Sequence, residues 1–145
     1  MIRFIEVAET LPIRSHVLRE GRLSPEESRF DTDKLPGAFH LGFYEHDELA
    51  CIASFHPQSF GTYPGTGYQL RGMAAIEKYR GLGFGNRLLT FGIVYLKGQG
   101  ANYLWCNARK KALPFYLNVG FEVISEEFEL PWIGPHFTLY LKISR

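Results

Sequence analysis

Long apolar runs are scarce in this sequence, and none approaches the roughly 20 residues that a membrane-spanning helix needs. Net charge is nearly absent too: 16 Lys and Arg face 15 Asp and Glu, a formal +1. So even a balance leaves no electrostatic footprint for nucleic acid or an anionic membrane. Cysteine is rare, with Cys51 and Cys106 alone, each inside an apolar run. Buried free thiols are therefore expected rather than a disulfide. The five histidines show no metal-ligand spacing, so no metal is expected. Met1–Glu6 lacks the basic-then-apolar layout of a signal peptide, and repeats and low-complexity segments are missing. These absences lead to the expectation of a cytoplasmic, metal-free protein with no nucleic-acid and no membrane partner.

What is present is an ordinary globular composition, 46% hydrophobic and 21% charged over 145 residues, enough for one domain (1–145) with a real core. Met1–Glu9 alternates and reads as a strand, and Leu11–Arg19 as a helix with Gly21 past its end. The polar stretch Arg22–Pro36 reads mainly as loop and as a lid over a substrate site. Phe39–Tyr44 and Glu48–His56 form a hairpin about His46-Asp47. A strand over Gly67–Ile76, a helix over Asn86–Lys97 and a strand over Tyr103–Asn107 follow. Gly92 inside that helix costs about 1 kcal/mol relative to Ala, which close helix packing would justify. A helix over Lys110–Val119 ends at Gly120, and strands over Phe121–Phe128 and Phe137–Ile143 close the chain. The pattern is a mixed α/β domain.

The most informative stretch is Arg80-Gly81-Leu82-Gly83-Phe84-Gly85, set between a strand and a helix. The first N–H groups of a helix lack internal partners, and its dipole favours an anion there. Glycines let the backbone turn those groups inward without a Cβ in the way. A glycine-spaced loop alone serves an ordinary turn just as well. The P-loop is excluded because Phe84, Gly85 and Asn86 follow Gly83 where Gly-Lys-Ser/Thr is required, and the spacing also fails the dinucleotide fingerprint.

The chain resembles the Gcn5-related N-acetyltransferases, the GNAT superfamily. Arg80–Gly85 matches the Gln/Arg-x-x-Gly-x-Gly/Ala acetyl-CoA loop of that family at every fixed position. About thirty residues on, Ala112-Leu-Pro-Phe-Tyr-Leu-Asn-Val-Gly-Phe121 resembles the family's A-x-x-[FL]-Y-x-x-x-G-F helix and strand. Leu104–Arg109 and Ile133–His136 look like a subgroup of small, mostly uncharacterised members. The resemblance implies an α/β GNAT acyl-CoA N-acyltransferase fold, a central mixed, mostly antiparallel sheet flanked by helices. It implies acetyl-CoA as co-substrate, an unknown amine of a small molecule or peptide as acceptor, direct attack, and a homodimer.

Residue roles follow from the same resemblance. Arg80, Gly81, Leu82, Gly83, Phe84, Gly85 and Asn86 hold the pyrophosphate. The backbones of Met73 and Ala75 meet the pantetheine arm as an added strand would. Tyr116 matches the tyrosine beside the CoA sulfur, and a reference pKa of about 10 suits it to donating a proton. In many relatives an Asn three residues before the helix alanine contacts the arm. Here that position is Arg109, while Asn107 sits two earlier. Arg109 binds CoA phosphate or an acidic substrate on one reading and faces solvent on the other. For the base, His136 is the sharpest candidate, since Gly134-Pro135 precede it at the mouth of a strand and imidazole titrates near pH 6.5. A structural histidine, Glu77 or a water relay are the alternatives. A ping-pong route through Cys106 needs an activated thiolate, and nothing charged adjoins it in sequence. A different class of function is a non-catalytic acyl-CoA-binding module that senses acyl-CoA. It would keep the loop without needing Tyr116.

Overall fold

A computed structural model describes residues 1–143. The chain divides into two compact units, Met1–Pro57 with Leu70–Gly92, and Gln58–Gln69 with Ile93–Arg145. Residues 144 and 145 of the expected 1–145 domain lie outside the described residues. Residues 2–5 pair with 40–43, 39–45 with 48–55, 103–109 with 136–142, 122–123 with 139–140 and 128–130 with 134–136, all antiparallel, while 67–69 run parallel to 103–105. The mixed, mostly antiparallel α/β fold is therefore the observed one. Among the described residues no helix is long and apolar enough to cross a membrane.

The first unit begins with β1 (Ile2–Ile5), shorter than the alternation suggested. The chain turns helical because Glu9 Oε2 accepts the Glu6 N–H at 2.8 Å, capping α1 (Val7–Ile13). The helix runs on as a π-helical turn, Arg14–Leu18, just after Pro12, which has no N–H to donate. Strands β2 (Phe39–Glu45) and β3 (Glu48–Pro57) meet at His46 and Asp47, whose φ of 51° and 63° make the tight turn whose twist suits a hairpin. Leu41, Phe43, Ile52 and Phe55 are buried between elements of this unit. Strand β4 (Gly67–Ala75) crosses the boundary between the units, and α2 (Phe84–Gly98) begins in the first. At Gly92 the helix α2 packs tightly on β3: an added Cβ would stand 2.3 Å from the Phe55 ring, so only glycine fits.

The segment read mainly as loop, residues 22–36, is tied down by side-chain contacts. It holds two short 3-10 turns, Glu26–Ser28 and Asp31–Lys34. Asp33 receives the Arg14 guanidinium through two hydrogen bonds of 2.8 and 3.0 Å, with the side chains 1% and 3% exposed. It also accepts from His56 Nε2 at 2.9 Å and from the Phe30 N–H at 2.8 Å. Arg14 reaches on to Ser54 Oγ and the Ser28 carbonyl, and its Nε, which has no hydrogen-bond partner among the described residues, belongs to a guanidinium lying 4.1 Å over the Phe30 ring. His40 Nδ1 meets Ser54 Oγ at 2.7 Å. The polar residues placed in an otherwise apolar strand thus find partners: His56 in Thr32 and Asp33 of the segment 22–36, and Ser54 in Arg14 and His40.

The second unit is built on β5 (Tyr103–Arg109), which pairs antiparallel with β8 (Gly134–Lys142). Gly67–Gln69 of β4 run parallel to Tyr103–Trp105. The strand expected over Phe121–Phe128 is two short ones, β6 (Glu122–Val123) and β7 (Phe128–Leu130), both against β8: the Ile124 N–H still bonds the Thr138 carbonyl, and residues 125–127 leave the ladder. Trp105 is core, as expected, and its Nε1 donates to the Gln58 carbonyl at 2.9 Å. Tyr103 is buried, stacks with Tyr140, and accepts the Phe60 N–H on its hydroxyl.

Two predictions follow from the buried polar cluster. Burial holds the His40 pKa down to about 4, with the Asp33 charge opposing and those of Arg14 and His56 assisting. Between about pH 6.5 and about pH 4 the unfolded chain therefore binds a proton that the folded chain refuses, and stability falls as pH drops through that window. Denaturant titrations should lose a few kcal/mol from pH 7 to pH 4.5, and His40→Gln should flatten that slope; an unchanged slope contradicts the assignment. Asp33→Asn strands the Arg14 charge and should cost about 3–5 kcal/mol at neutral pH.

Candidate active site

The sequence-predicted residues fall into two groups, one in each unit. In the first unit β4 ends at Ala75, a 3-10 turn spans Glu77–Tyr79, and the glycine loop leads into α2. Gly81 and Gly83 take φ of +79° and +84°, and an added Cβ at either would meet nothing within 4 Å. Their glycine is therefore demanded by backbone conformation, with open space around it. The helix's internal ladder starts with the Arg87 N–H on the Gly83 carbonyl, so the N–H groups of Phe84, Gly85 and Asn86 precede it. No acidic side chain occupies the first turn, and exposed Arg80 and Arg87 flank it. This donor set fits a pyrophosphate.

The side chains around the loop divide the labour. Phe84 is buried and stacks on Phe43 of β2 at 4.1 Å, so only its backbone is available to a ligand. Tyr79 packs beside Phe84, and its hydroxyl donates to Glu48 at 2.8 Å. These contacts pin the start of α2 to the sheet, while Leu82 stands 58% exposed at the loop tip. Arg80 Nε donates to the Ala75 carbonyl at 3.2 Å, which ties the loop back to the end of β4. Met73 lies on the same strand, two residues before Ala75.

In the second unit, Asn107 faces Thr138 and Arg109 faces His136 across the β5–β8 pair, so these four residues share one face. Thr138 Oγ1 donates to Asn107 Oδ1 at 2.8 Å. His136 is buried beside Phe128, and its Nδ1 lies 2.8 Å from the Gly134 carbonyl. A carbonyl only accepts, so Nδ1 carries the proton and Nε2 holds the lone pair in the neutral ring. Arg109, Lys110, Lys111, Ile133 and Pro135 line an open depression of about 360 Å³. Lys110 pairs with Glu127 at 2.9 Å.

Tyr116 is half-buried on α3 (Leu113–Val119). Gly120 ends that helix at φ 121°: its N–H bonds the Leu117 carbonyl and the Phe121 N–H bonds the Tyr116 carbonyl. That cap folds Phe121 back so that its ring meets Tyr116 edge-on at 5.6 Å, while Phe115 meets it at 4.9 Å. The spacing Tyr-x-x-x-Gly-Phe thus has a structural cause, orienting the tyrosine. Cys106 is a buried free thiol whose pKa burial pushes well up, and Cys51 is pushed up to about 12 for the same reason. Neither thiol is an activated nucleophile.

Sequence reasoning missed Arg14, Thr32, Asp33, His40 and His56. Asp33, His40 and His56 bring three ligand-type atoms within 4.8 Å of one another. Asp33, however, already receives four donors, two of them from a guanidinium, so its lone pairs are taken and its nearest charge is positive. These partners hold its carboxyl below the usual range despite burial. The signal in the sequence was polar Ser54 and His56 inside the apolar run Leu49–His56.

Residues 8–121 match the Acetyltransferase (GNAT) family. A Bacillus subtilis (strain 168) protein, the uncharacterized N-acetyltransferase YitI, is 36% identical over 147 residues, covering 99% of this chain and 98% of its own. Among solved structures, aminoglycoside 6'-acetyltransferase type Ii superposes with a TM-score of 0.78 at 18% identity, covering 100% of this chain and 98% of its own. An aminoglycoside 6'-N-acetyltransferase complexed with coenzyme A gives 0.72 at 16%, with the same coverage. Escherichia coli ElaA gives 0.78 at 18%, covering 97% of each chain. At these identities the solved structures speak for the fold.

Gly83→Val puts a β-branched residue at φ +84°, a strain of about 1–3 kcal/mol, and narrows the open loop. Calorimetric titration should show acetyl-CoA affinity lowered by at least about tenfold, with an unchanged circular dichroism spectrum. Wild-type affinity in the variant would remove the loop from the site.

Proposed function

Because the chain belongs to the Acetyltransferase (GNAT) family and is an acetyl-CoA-dependent N-acetyltransferase, we propose that its two groups of residues divide donor binding from proton transfer. Acetyl-CoA supplies the acetyl thioester. Arg80, Gly81, Leu82, Gly83, Phe84, Gly85 and Asn86 hold its pyrophosphate, mainly through backbone N–H groups at the start of α2. Met73 and Ala75 meet the pantetheine arm with backbone groups. The positive φ of Gly81 and Gly83, in open space at a helix N-terminus, is the observation that carries this part.

Tyr116 is assigned the proton donor to the departing thiolate, supported by its family position and by the two aromatic edges that orient it. His136 is assigned the base, supported by a tautomer that leaves Nε2 free to accept a proton. Its burial sets a condition: the acceptor's amine must reach that nitrogen. Arg109 and Asn107 are assigned to binding beside it, Arg109 in the basic depression and Asn107 from the exposed face. The same proposal includes a single catalytic domain, since the family match runs across both units. Cytoplasmic residence is supported by two free thiols, and a homodimer by Trp132, a loop tryptophan 90% exposed.

Tyr116→Phe should lower kcat by about 10² or more and leave the Kd for acetyl-CoA within about twofold, read by thiol release and by calorimetry. Equal losses in both would make Tyr116 a packing residue. Unaltered kcat would remove Tyr116 from proton donation; the sensing-module alternative stands only if no amine is turned over.

A further inference from the structure

Asp33 neutralises Arg14, but a second guanidinium nearby has no such partner. Arg71 of β4 lies 4.0 Å over the same Phe30 ring that Arg14 covers at 4.1 Å. Among the described residues no carboxylate comes within 4.0 Å of it. Burial, with Arg14 adding, pushes its pKa below the ordinary arginine value, against opposition from Asp33 and Asp31. Its hydrogen bond to Thr32 Oγ1 is long, at 3.4 Å.

That long bond is nonetheless well aimed. Thr32 Oγ1 meets His56 Nδ1 at 2.9 Å, and His56 Nε2 meets Asp33 Oδ1 at 2.9 Å. A carboxylate only accepts, so Nε2 donates to Asp33 and Nδ1 of the neutral ring accepts the Thr32 proton. The lone pairs of Thr32 are then left for Arg71. The chain Arg14–Asp33–His56–Thr32 therefore orients a half-buried guanidinium that no carboxylate contacts directly. Such a charge is costly unless a ligand supplies the counterion. Arg14, Arg19, Asp33 and Asp31 act on it with two charges of each sign, leaving its own single charge. A monoanion matches that, and a planar guanidinium fork matches a carboxylate.

We propose that Arg71 binds the carboxylate of the acceptor, so that the amine acetylated by this protein is an amino acid. This rests on the transferase reading and names its substrate class. Arg71 stands two residues before Met73 on the strand assigned to the pantetheine arm, which puts an acceptor held there beside the donor's strand.

The test uses thiol release from acetyl-CoA with paired probes: L-lysine and cadaverine, L-phenylalanine and phenethylamine, L-tyrosine and tyramine, and O-phosphoethanolamine as a dianionic arm. Calorimetric titration of the protein without acetyl-CoA uses the same probes. At least one amino acid should exceed its decarboxylated mate by about tenfold or more in kcat/KM. Arg71→Met should abolish that preference by raising KM for the amino acid, with KM for acetyl-CoA unmoved, and should abolish the amino acid's binding heat. Arg71→Lys, which keeps charge but not the fork, should fall between. Removing a charge that no carboxylate contacts should leave Tm equal or higher, whereas loss of a structural arginine would lower it by several degrees. The proposal is overturned by a preference that survives Arg71→Met, by decarboxylated amines or O-phosphoethanolamine being the better probes, by binding heats indifferent to Arg71, or by a lowered Tm. If no amine releases thiol but Arg71-dependent binding of an amino acid persists, the transferase reading fails and this site stands.

Discussion

The buried pair Arg14–Asp33 is the contact on which the first unit depends. Two charges at 1% and 3% exposure are tolerable only because every oxygen of the carboxylate is engaged and the guanidinium reaches a serine, a carbonyl and an aromatic face. The pair joins the turn after α1 to the segment 22–36, and His40, Ser54 and His56 carry it into β2 and β3. A stretch with no apolar stripe of its own acquires one conformation by donating a single aspartate to the sheet.

The consequence for function is that packing positions the residues around β4. Phe30 is held by its own N–H on Asp33 and by the Arg14 guanidinium over its ring. At the other end of β4 the stacking of Phe84 on Phe43 fixes where α2 starts, and hence where its free N–H groups stand. Binding groups set by packing lose little freedom when a ligand arrives.

How much of this was legible depends on how local the cause was. The hairpin at His46-Asp47, the loop at Gly81–Gly83 and the cap at Gly120 each rest on backbone conformations that a few neighbouring residues dictate, and they read directly. Gly92 also read correctly, since a helical glycine needs a close neighbour, though only the structure names Phe55. The end of β1 was missed because Glu6 and Glu9 form a cap that competes with alternation. What anchors 22–36 was not legible for a different reason: Asp33 meets Arg14, His40 and His56 from well away in the sequence, and spacing carries no such information. Likewise, Arg109 facing His136 became visible only through the β5–β8 register.

This chain moves an acetyl group from acetyl-CoA to an amine. Mass spectrometry of the acceptor, after incubation of the purified protein with acetyl-CoA and a panel of primary amines, tests it most directly. At least one amine should gain one acetyl group for each thiol released, with no acetyl group left on Cys51 or Cys106. Acetyl-CoA that binds tightly yet stays intact beside every amine would contradict it and leave a binding module.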